Sequence, residues 1–299
     1  MPPPPAHERL FVRLDEDPLH GPEAAMPAGS LRAFAVPASL GLHVSHILRY
    51  RETVPEGREL RERVLPDGAV RLVFNLGDAP SAGESAGLPV EAVGASAAPA
   101  LVRLRGHVDG LSITLRAGAA AALLGMPASE IAGSAVHLDE LWGGRGAELR
   151  ERLAGQADEA ARVALLCDVL QQRLGESREP AHPLAMRAAQ LIAASGGRRP
   201  LRDVAAAVGV GERRLQQLFQ QQVGLSPRAW RRLARLHACL RMLRQQQQAL
   251  RPTPGWAALA LDGGFYDQSH LVNEFKALCG LTPTEFLGCT VSGSSKTAG

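Results

Sequence analysis

Paired cysteine spacing is missing from this chain of 299 residues. Its four cysteines, Cys167, Cys239, Cys279 and Cys289, form no CxxC or comparable motif. That spacing excludes a disulfide framework and a cysteine-based zinc site as organising devices, and points to the reduced thiols of a cytoplasmic protein. Aromatic residues are scarce at 4%, yet 45% hydrophobic residues suffice for a sizeable core. No run of about 18 apolar residues occurs, so no membrane span is expected. The opening MPPPPAHERL lacks the basic-then-apolar order of a signal peptide. His43 and His46 are three apart, which on a strand puts them on opposite faces, and His107 and His137 are isolated. These read as ordinary hydrogen-bonded histidines. No metal site, cofactor or catalytic residue is expected.

One-sided charge is also missing overall, but the distribution is uneven. Residues 1–183 carry 18 Lys or Arg against 24 Asp or Glu, whereas residues 184–287 carry 14 against 6. An acidic front half joined to a basic back half suggests nucleic-acid contact by the back half. Residues 1–30, rich in Pro, Ala and acidic side chains, read as disordered or loosely attached. Short apolar runs then alternate with turn signals, giving candidate strands at 31–36, 44–50, 70–76, 101–106 and 111–116. In the third, Val70, Leu72, Phe74 and Leu76 share one face. Residues 78–100 are low in complexity and read as a long flexible loop. Helical spacing follows at 119–124, 129–131, 148–153 and 160–174. The expected organisation is thus α+β: a β-rich domain over 31–174, a cupin-like barrel or sandwich ending in helices; a polar linker at 175–183; an all-α domain over 184–287; and a disordered tail over 288–299.

The all-α region says one thing twice. GLSPRAW begins at Gly224 and GLTPTEF begins at Gly280. At this offset of 56, Leu215 pairs with Leu271, Phe219 with Phe275, and Trp230 with Phe286. Upstream the offset drops to 55, pairing Val204 with Leu259 and Gly209 with Gly264. A single slip, placed in a turn, marks a duplicated supersecondary unit. In the first copy, a helix at 201–208 ends at Gly209, and a second helix at 212–222 buries Leu215, Leu218 and Phe219. Its other face shows Arg213, Arg214, Gln216, Gln217 and Gln220. In the second copy, helices at 256–261 and 268–278 flank Gly263-Gly264, with Asp267 placed to cap the latter helix. Gln268, Ser269, His270, Asn273 and Lys276 form its outward set. Each copy is a helix-turn-helix. Arg can bridge guanine O6 and N7, and Gln can bridge adenine N6 and N7, so both faces suit the major groove. A long helix at 227–245, decorated with arginines including Arg232, would hold the two recognition helices about 34 Å apart, one turn of DNA.

Residues 184–287 resemble the DNA-binding domain of the AraC/XylS family of transcription regulators. The resemblance is carried by LRDVAAAVGVGERRLQQLFQQQVGLSPRAW, the helical spacer, and GWAALALDGGFYDQSHLVNEFKALCGLTPTEF. It implies base reading at Arg213, Gln216 and Gln217 in the first unit, and at Gln268, Ser269, His270 and Asn273 in the second. The family often has an arginine where Asn273 stands. The resemblance also implies double-stranded DNA and RNA polymerase as partners. PDGAVRLVFNLGD, ITLRAGAAAALLGMPASEI and HLDELWG are similar to the N-terminal domain of a group of AraC-type regulators with a β-rich front half. In the wider family that domain binds a small effector or forms a homodimer.

An enzyme is the alternative reading, in an esterase-like or a DNA-repair version. GESAG, with Ser85 at its centre, matches the G-x-S-x-G nucleophile elbow, but it sits in an Ala/Ser/Gly/Pro stretch with Leu88-Pro89 where a helix should begin. A DNA-repair enzyme fused to such a DNA-binding module needs a metal-held cysteine cluster near the N-terminus, and no cysteine precedes Cys167. A regulator without enzymatic activity is therefore the expectation.

Overall fold

The computed structural model describes residues 8–11, 30–83, 86–248 and 255–286. The front domain is built on two β-sheets. A six-stranded sheet has the order β10-β7-β5-β9-β3-β2, from strands β2 (Leu31–Phe34), β3 (Val44–Thr53), β5 (Arg71–Asn75), β7 (Val90–Val93), β9 (His107–Leu115) and β10 (Ala135–His137). A four-stranded sheet has the order β1-β4-β8-β6, from β1 (Glu8–Phe11), β4 (Leu60–Val64), β6 (Ser81–Ala82) and β8 (Ala100–Leu104). Of the two architectures anticipated, the sandwich is the one observed.

Strand alternation gives the larger sheet two different faces. Ile47, Ile113, Leu72 and Ala92 lie side by side across β3, β9, β5 and β7, and all four are fully buried. This face is covered by α1 (Ala120–Leu124), α2 (Leu138–Trp142), α3 (Arg145–Ala154) and α4 (Glu159–Glu176). Leu123, Leu138, Trp142, Leu149, Leu166 and Leu170 complete the core there. The Trp142 indole N–H donates to the Leu123 carbonyl at 2.9 Å, so the ring is buried with its polar atom satisfied. The next residues along each strand, Leu48, Ser112, Val73 and Glu91, form the neighbouring row. They turn toward the four-stranded sheet.

Three sequence expectations need correction. Residues 8–11, read as part of a loosely attached segment, form β1, which pairs in parallel with β4. Arg9 holds it there by hydrogen bonds to Glu52 at 2.6 Å and Glu62 at 2.6 Å, and Leu10 is buried. Residues 78–100, read as a flexible loop, contain β6 and β7, and β7 lies inside the larger sheet between β5 and β10. His43 and His46 do not fit the hydrogen-bonded reading: the Nδ1 of each is buried without a hydrogen-bond partner among the described residues. Ser85, residues 12–29 and the expected tail at 288–299 lie outside the described residues.

The helical domain comprises α5 (Pro183–Ala194), α6 (Leu201–Ala207), α7 (Glu212–Val223), α8 (Pro227–Gln248), α9 (Trp256–Asp262) and α10 (Gln268–Cys279). The duplication is visible in its packing. Leu215 and Leu271 are fully buried, as are Phe219 and Phe275. Phe219 meets Trp230 edge-on at 6.0 Å, and Phe275 meets Phe286 edge-on at 5.8 Å. The repeated glycines do the same work: Gly224 ends α7 at φ +83° and Gly280 ends α10 at φ +70°. Both adopt the left-handed conformation that glycine takes without a Cβ penalty. Helix α8 joins the two units through Trp230, beside the first cluster, and Leu233, Leu236, Leu240 and Leu243, in the second.

The two domains share a packed interface. Leu10 and Leu65 of the front domain belong to the same cluster as Leu233, Leu236, Phe275 and Leu281. Buried His237 on α8 lies 2.9 Å from the Pro66 carbonyl oxygen, a pairing that uses the Nε2 proton. Gly68 is seated so closely that an added Cβ would meet Trp230 at 2.7 Å and Leu233 at 2.9 Å. Both repeated elbows also dock here. A Cβ on Gly224 would lie 3.1 Å from the Ala128 carbonyl oxygen and 3.2 Å from Ala95, and one on Gly280 would meet Arg63 and Pro99.

Leu10→Ala removes a buried side chain from this shared cluster and is expected to cost about 2–4 kcal/mol. Urea unfolding of the full chain measures it. A cost below about 0.5 kcal/mol, the level of a surface substitution, would show that β1 is not docked.

Candidate nucleic-acid interface and internal cavity

Helix α7 presents a sharply divided surface. Leu215, Leu218, Phe219 and Val223 are buried, while Arg213, Arg214, Gln216, Gln217 and Gln220 are all exposed. These five side chains make no hydrogen bond or ion pair with other described residues, so their donors remain available. On α10, Leu271, Phe275, Leu278 and Cys279 are buried, and Gln268, Ser269, Asn273 and Lys276 are exposed. The polar faces of both helices therefore stay open while their C-terminal elbows rest on the front domain.

His270 differs from the rest of the expected set. Its ring is half-buried and lies edge-on to Phe265 at 5.6 Å. Its Nδ1 accepts from the Tyr266 N–H at 3.1 Å, and its own backbone N–H donates to Asp267 at 2.7 Å. Asp267 is thus the N-cap, as its sequence position suggested, and His270 shapes the start of the helix. Tyr266, just before that start, was not singled out as a contact residue, yet it is 91% exposed. An aromatic residue so exposed at the entrance to a recognition helix is a candidate contact; the sequence signal was an aromatic at a turn with no apolar partner at helical spacing.

The arginines of α8 are less free than their spacing suggested. Arg232, one of the arginines that decorate the spacer, donates to Glu274 on α10 at 2.7 Å. Arg231 donates to the Gly197 carbonyl at 3.1 Å. Arg235 lies over the Phe265 ring at 5.8 Å, and burial lowers its pKa. These residues tie the two helix-turn-helix units to the spacer.

The second notable feature lies inside the front domain. Between the two sheets is a cavity of about 790 Å³. The row Leu48, Ser112, Val73 and Glu91 forms one wall. The row Arg9, Glu62, Val102 and Ala82 of the smaller sheet forms the other. A sandwich interior normally fills with interdigitated side chains. Here Ala82, Ala98, Ala100, Ser112 and Ala135 stand at lining positions, and their small side chains leave the space open. The cavity falls within the usual volume range of small-molecule sites, roughly 300–1,000 Å³.

Two segments close one end of the cavity. Residues 65–69 cross from β4 to β5, and residues 94–99 cross from β7 to β8, so each links one sheet to the other. Val64 and Ala100 are register partners, which places both crossings at the same end of the smaller sheet. Leu65, Pro66 and Gly68 line the cavity and also touch α8. Gly94, Ser96 and Ala98 line it, while Ala95 and Pro99 between them touch the repeated elbows. One backbone layer therefore separates the cavity from the helical domain.

Charge within the cavity is mostly neutralised. Arg9 is bracketed by Glu52 and Glu62, and Arg71 pairs with Asp67. The Tyr50 hydroxyl donates to Asn75, and burial pushes the phenol pKa upward. Glu62 is raised by burial even though Arg9 opposes the shift. Glu91 makes no ion pair with another described residue, and burial pushes its carboxyl up to about 7.

Arg232→Ala is expected to lower the stability of the helical domain while leaving the salt slope of DNA binding unchanged. Arg214→Ala, at an exposed position suited to phosphate, should reduce that slope by about 1. Gln217→Ala should cost about 1–3 kcal/mol at one base position. Binding titrations over a salt series, run beside thermal unfolding, separate these outcomes. Unchanged DNA binding in both Arg214→Ala and Gln217→Ala would remove the assigned face.

Comparison with known proteins gives two family matches. Residues 204–288 match the profile of a helix-turn-helix domain, and residues 33–137 match a domain of unknown function (DUF6597). Among curated proteins, none matches the chain. Among solved structures, ToxT from Vibrio cholerae in its P21 crystal form is 11% identical, with a TM-score of 0.42 over 81% of this chain and 98% of that one. ToxT from strain O395 bound to (E)-4-(8-methylnaphthalen-1-yl)but-3-enoic acid is 12% identical, with a TM-score of 0.44 over 82% and 99%. Unsaturated fatty acid bound ToxT from strain SCE256 is 11% identical, with a TM-score of 0.44 over 81% and 94%. Likeness at this level leaves function to the chain's own geometry. The duplicated units, their open polar faces and the matched profile agree: the C-terminal part of this chain is an AraC-type helix-turn-helix DNA-binding domain, joined to a β-rich domain of unknown function.

Proposed function

We propose that this protein is a sequence-specific transcription regulator that places α7 and α10 in successive major grooves, and that the contents of the front-domain cavity set its DNA affinity. One observation carries the coupling. The crossings at 65–69 and 94–99 form the cavity wall on one side and the seat of α8 and both elbows on the other. A ligand that moves this wall acts on both recognition helices together. Allosteric coupling has the magnitude of a differential affinity, about 1–3 kcal/mol, and a small shift of a packed interface can supply it.

Further parts of the reading rest on family resemblance. RNA polymerase is the expected protein partner, and a homodimer through the front domain is compatible with reading two half-sites by a single chain. No described helix is long and apolar enough to cross a membrane, which suits a regulator working at DNA in the cytoplasm. A non-enzymatic role is supported by the described thiols: Cys167, Cys239 and Cys279 are buried, and burial raises the pKa of each, that of Cys239 to about 12. A raised pKa disfavours the nucleophilic thiolate.

In-vitro selection of random duplexes on the full chain tests the reading. The expected winner contains two half-sites about one helical turn apart, bound with a steep salt dependence. Absence of salt-dependent binding to any duplex would overturn it. Gly68→Ala tests the coupling. The added methyl meets Trp230 and Leu233 and is strained at φ +74°, so the full chain should retain its helical content but bind the selected duplex with altered affinity. Unaltered affinity in a demonstrably undocked variant would separate the cavity wall from DNA binding.

A further inference from the structure

The cavity has its own chemical preference, and this step rests on the proposed role of the cavity as an effector site. Glu91 occupies the middle strand of three, between β5 and β10, and lines the cavity beside Val73 and Val93. No hydrogen bond or ion pair joins its carboxylate to another described residue. The groups around it are otherwise engaged. Tyr50 donates to Asn75, and Arg71 is held by Asp67. His137, opposite Glu91 in register on β10, accepts the Asp139 N–H at its Nδ1. Across the cavity, Arg9 is shared by Glu52 and Glu62. Every lining arginine but Arg51 is thus paired with a carboxylate of this chain, and Arg51 is exposed. The lining carries four carboxylates, Glu52, Glu62, Asp67 and Glu91, against three guanidinium groups. An acidic ligand would find no unpaired buried cation among the described residues. A basic ligand would find one unpaired carboxylate in an apolar wall.

We infer that the cavity takes a compact, largely apolar ligand bearing one positive charge, an ammonium or amidinium, and that the Glu91 carboxylate holds that charge. Leu48, Val73, Leu88, Val93 and Val102 supply the surface for its apolar body. Burial without a partner keeps Glu91 protonated up to about pH 7, and a bound cation supplies the missing charge. Cation binding therefore displaces the Glu91 proton, and affinity follows pH. Below about 7 it should rise about tenfold per pH unit, and above that it should level off. His137 stands opposite Glu91 on β10, and Tyr50 and Arg71 are further ionisable groups of the same cavity wall. A side chain needed only for folding would show no such ligand-specific dependence.

The experiment uses the full chain and three probes with one skeleton: 3-phenylpropylammonium, 3-phenylpropanol and 3-phenylpropanoate. Calorimetric titration at several pH values reads affinity for wild type and Glu91→Gln. The expected result is saturable binding of the ammonium probe, at least about tenfold weaker in Glu91→Gln, consistent with loss of a charge-assisted hydrogen bond. The alcohol should bind both proteins alike and without pH dependence. Equal or tighter binding of the propanoate, undiminished ammonium binding by Glu91→Gln, or no saturable ammonium binding to wild type would each overturn the inference. The selected duplex keeps the two readings apart. Ammonium binding that needs Glu91 but leaves duplex affinity unchanged supports the ligand class and counts against the proposed coupling. If Glu91→Gln fails to fold, the pH profile of wild type alone decides: a slope below pH 7 for the ammonium, absent for the alcohol, supports the inference, and parallel profiles overturn it.

Discussion

Everything in this molecule leans on a six-stranded sheet that must be covered on both faces. On one face the row Ile47, Ile113, Leu72 and Ala92 is sealed by helices, and burial of such side chains contributes about 1.5–3 kcal/mol for each large one. The other face looks onto the smaller sheet across a gap that side chains do not fill. Stability comes from the first face, which leaves the second free to serve as a site. The division follows from strand geometry alone, since neighbours along a strand point opposite ways.

The helical domain solves a different problem with the same economy. Its two units share a core logic, an aromatic pair and a glycine elbow, and α8 holds them in one body. The elbows are also where the front domain touches. Duplication has therefore produced two equivalent seats as well as two reading helices. On the proposed coupling, a displacement of the cavity wall would bear on both units and change their relation to each other as well as their exposure.

Much of the helical domain was legible in sequence because its signals are local. Matched glycines, apolar positions at helical spacing and an Asp at a helix start all act within a turn or two, and the structure agrees with each. Strands with clean alternation, such as 70–76, were equally readable. The rest depended on distant partners. ERLF of β1 fell in a stretch read as loosely attached and LRERV of β4 outside the candidate strands, because Arg9 meets Glu62, fifty-three residues away, only in the fold. VEAV of β7 is hidden in a small-residue stretch because its burial comes from β5 and β10. Arg232 reads as one more free arginine of the spacer until Glu274 is placed opposite it. His270 reads as one more outward side chain until Phe265 and the Tyr266 N–H are placed around its ring. The cavity was invisible because space between sheets has no local signature; it arises where small side chains of two sheets face each other.

The two reading helices are alike in frame and unlike in content. One offers Arg213, Arg214, Gln216 and Gln217, the other Gln268, Ser269 and Asn273. A dimer of identical subunits imposes a dyad on its operator and has no front or back along the duplex. A single chain with two different heads imposes direction. If both helices read DNA as proposed, the site would read differently in its two orientations, and the bound protein would carry its front domain toward one end of the DNA only. On the proposed reading, a DNA element bound by such a chain would work as an arrow, and inverting it would leave the same protein bound but facing the other way.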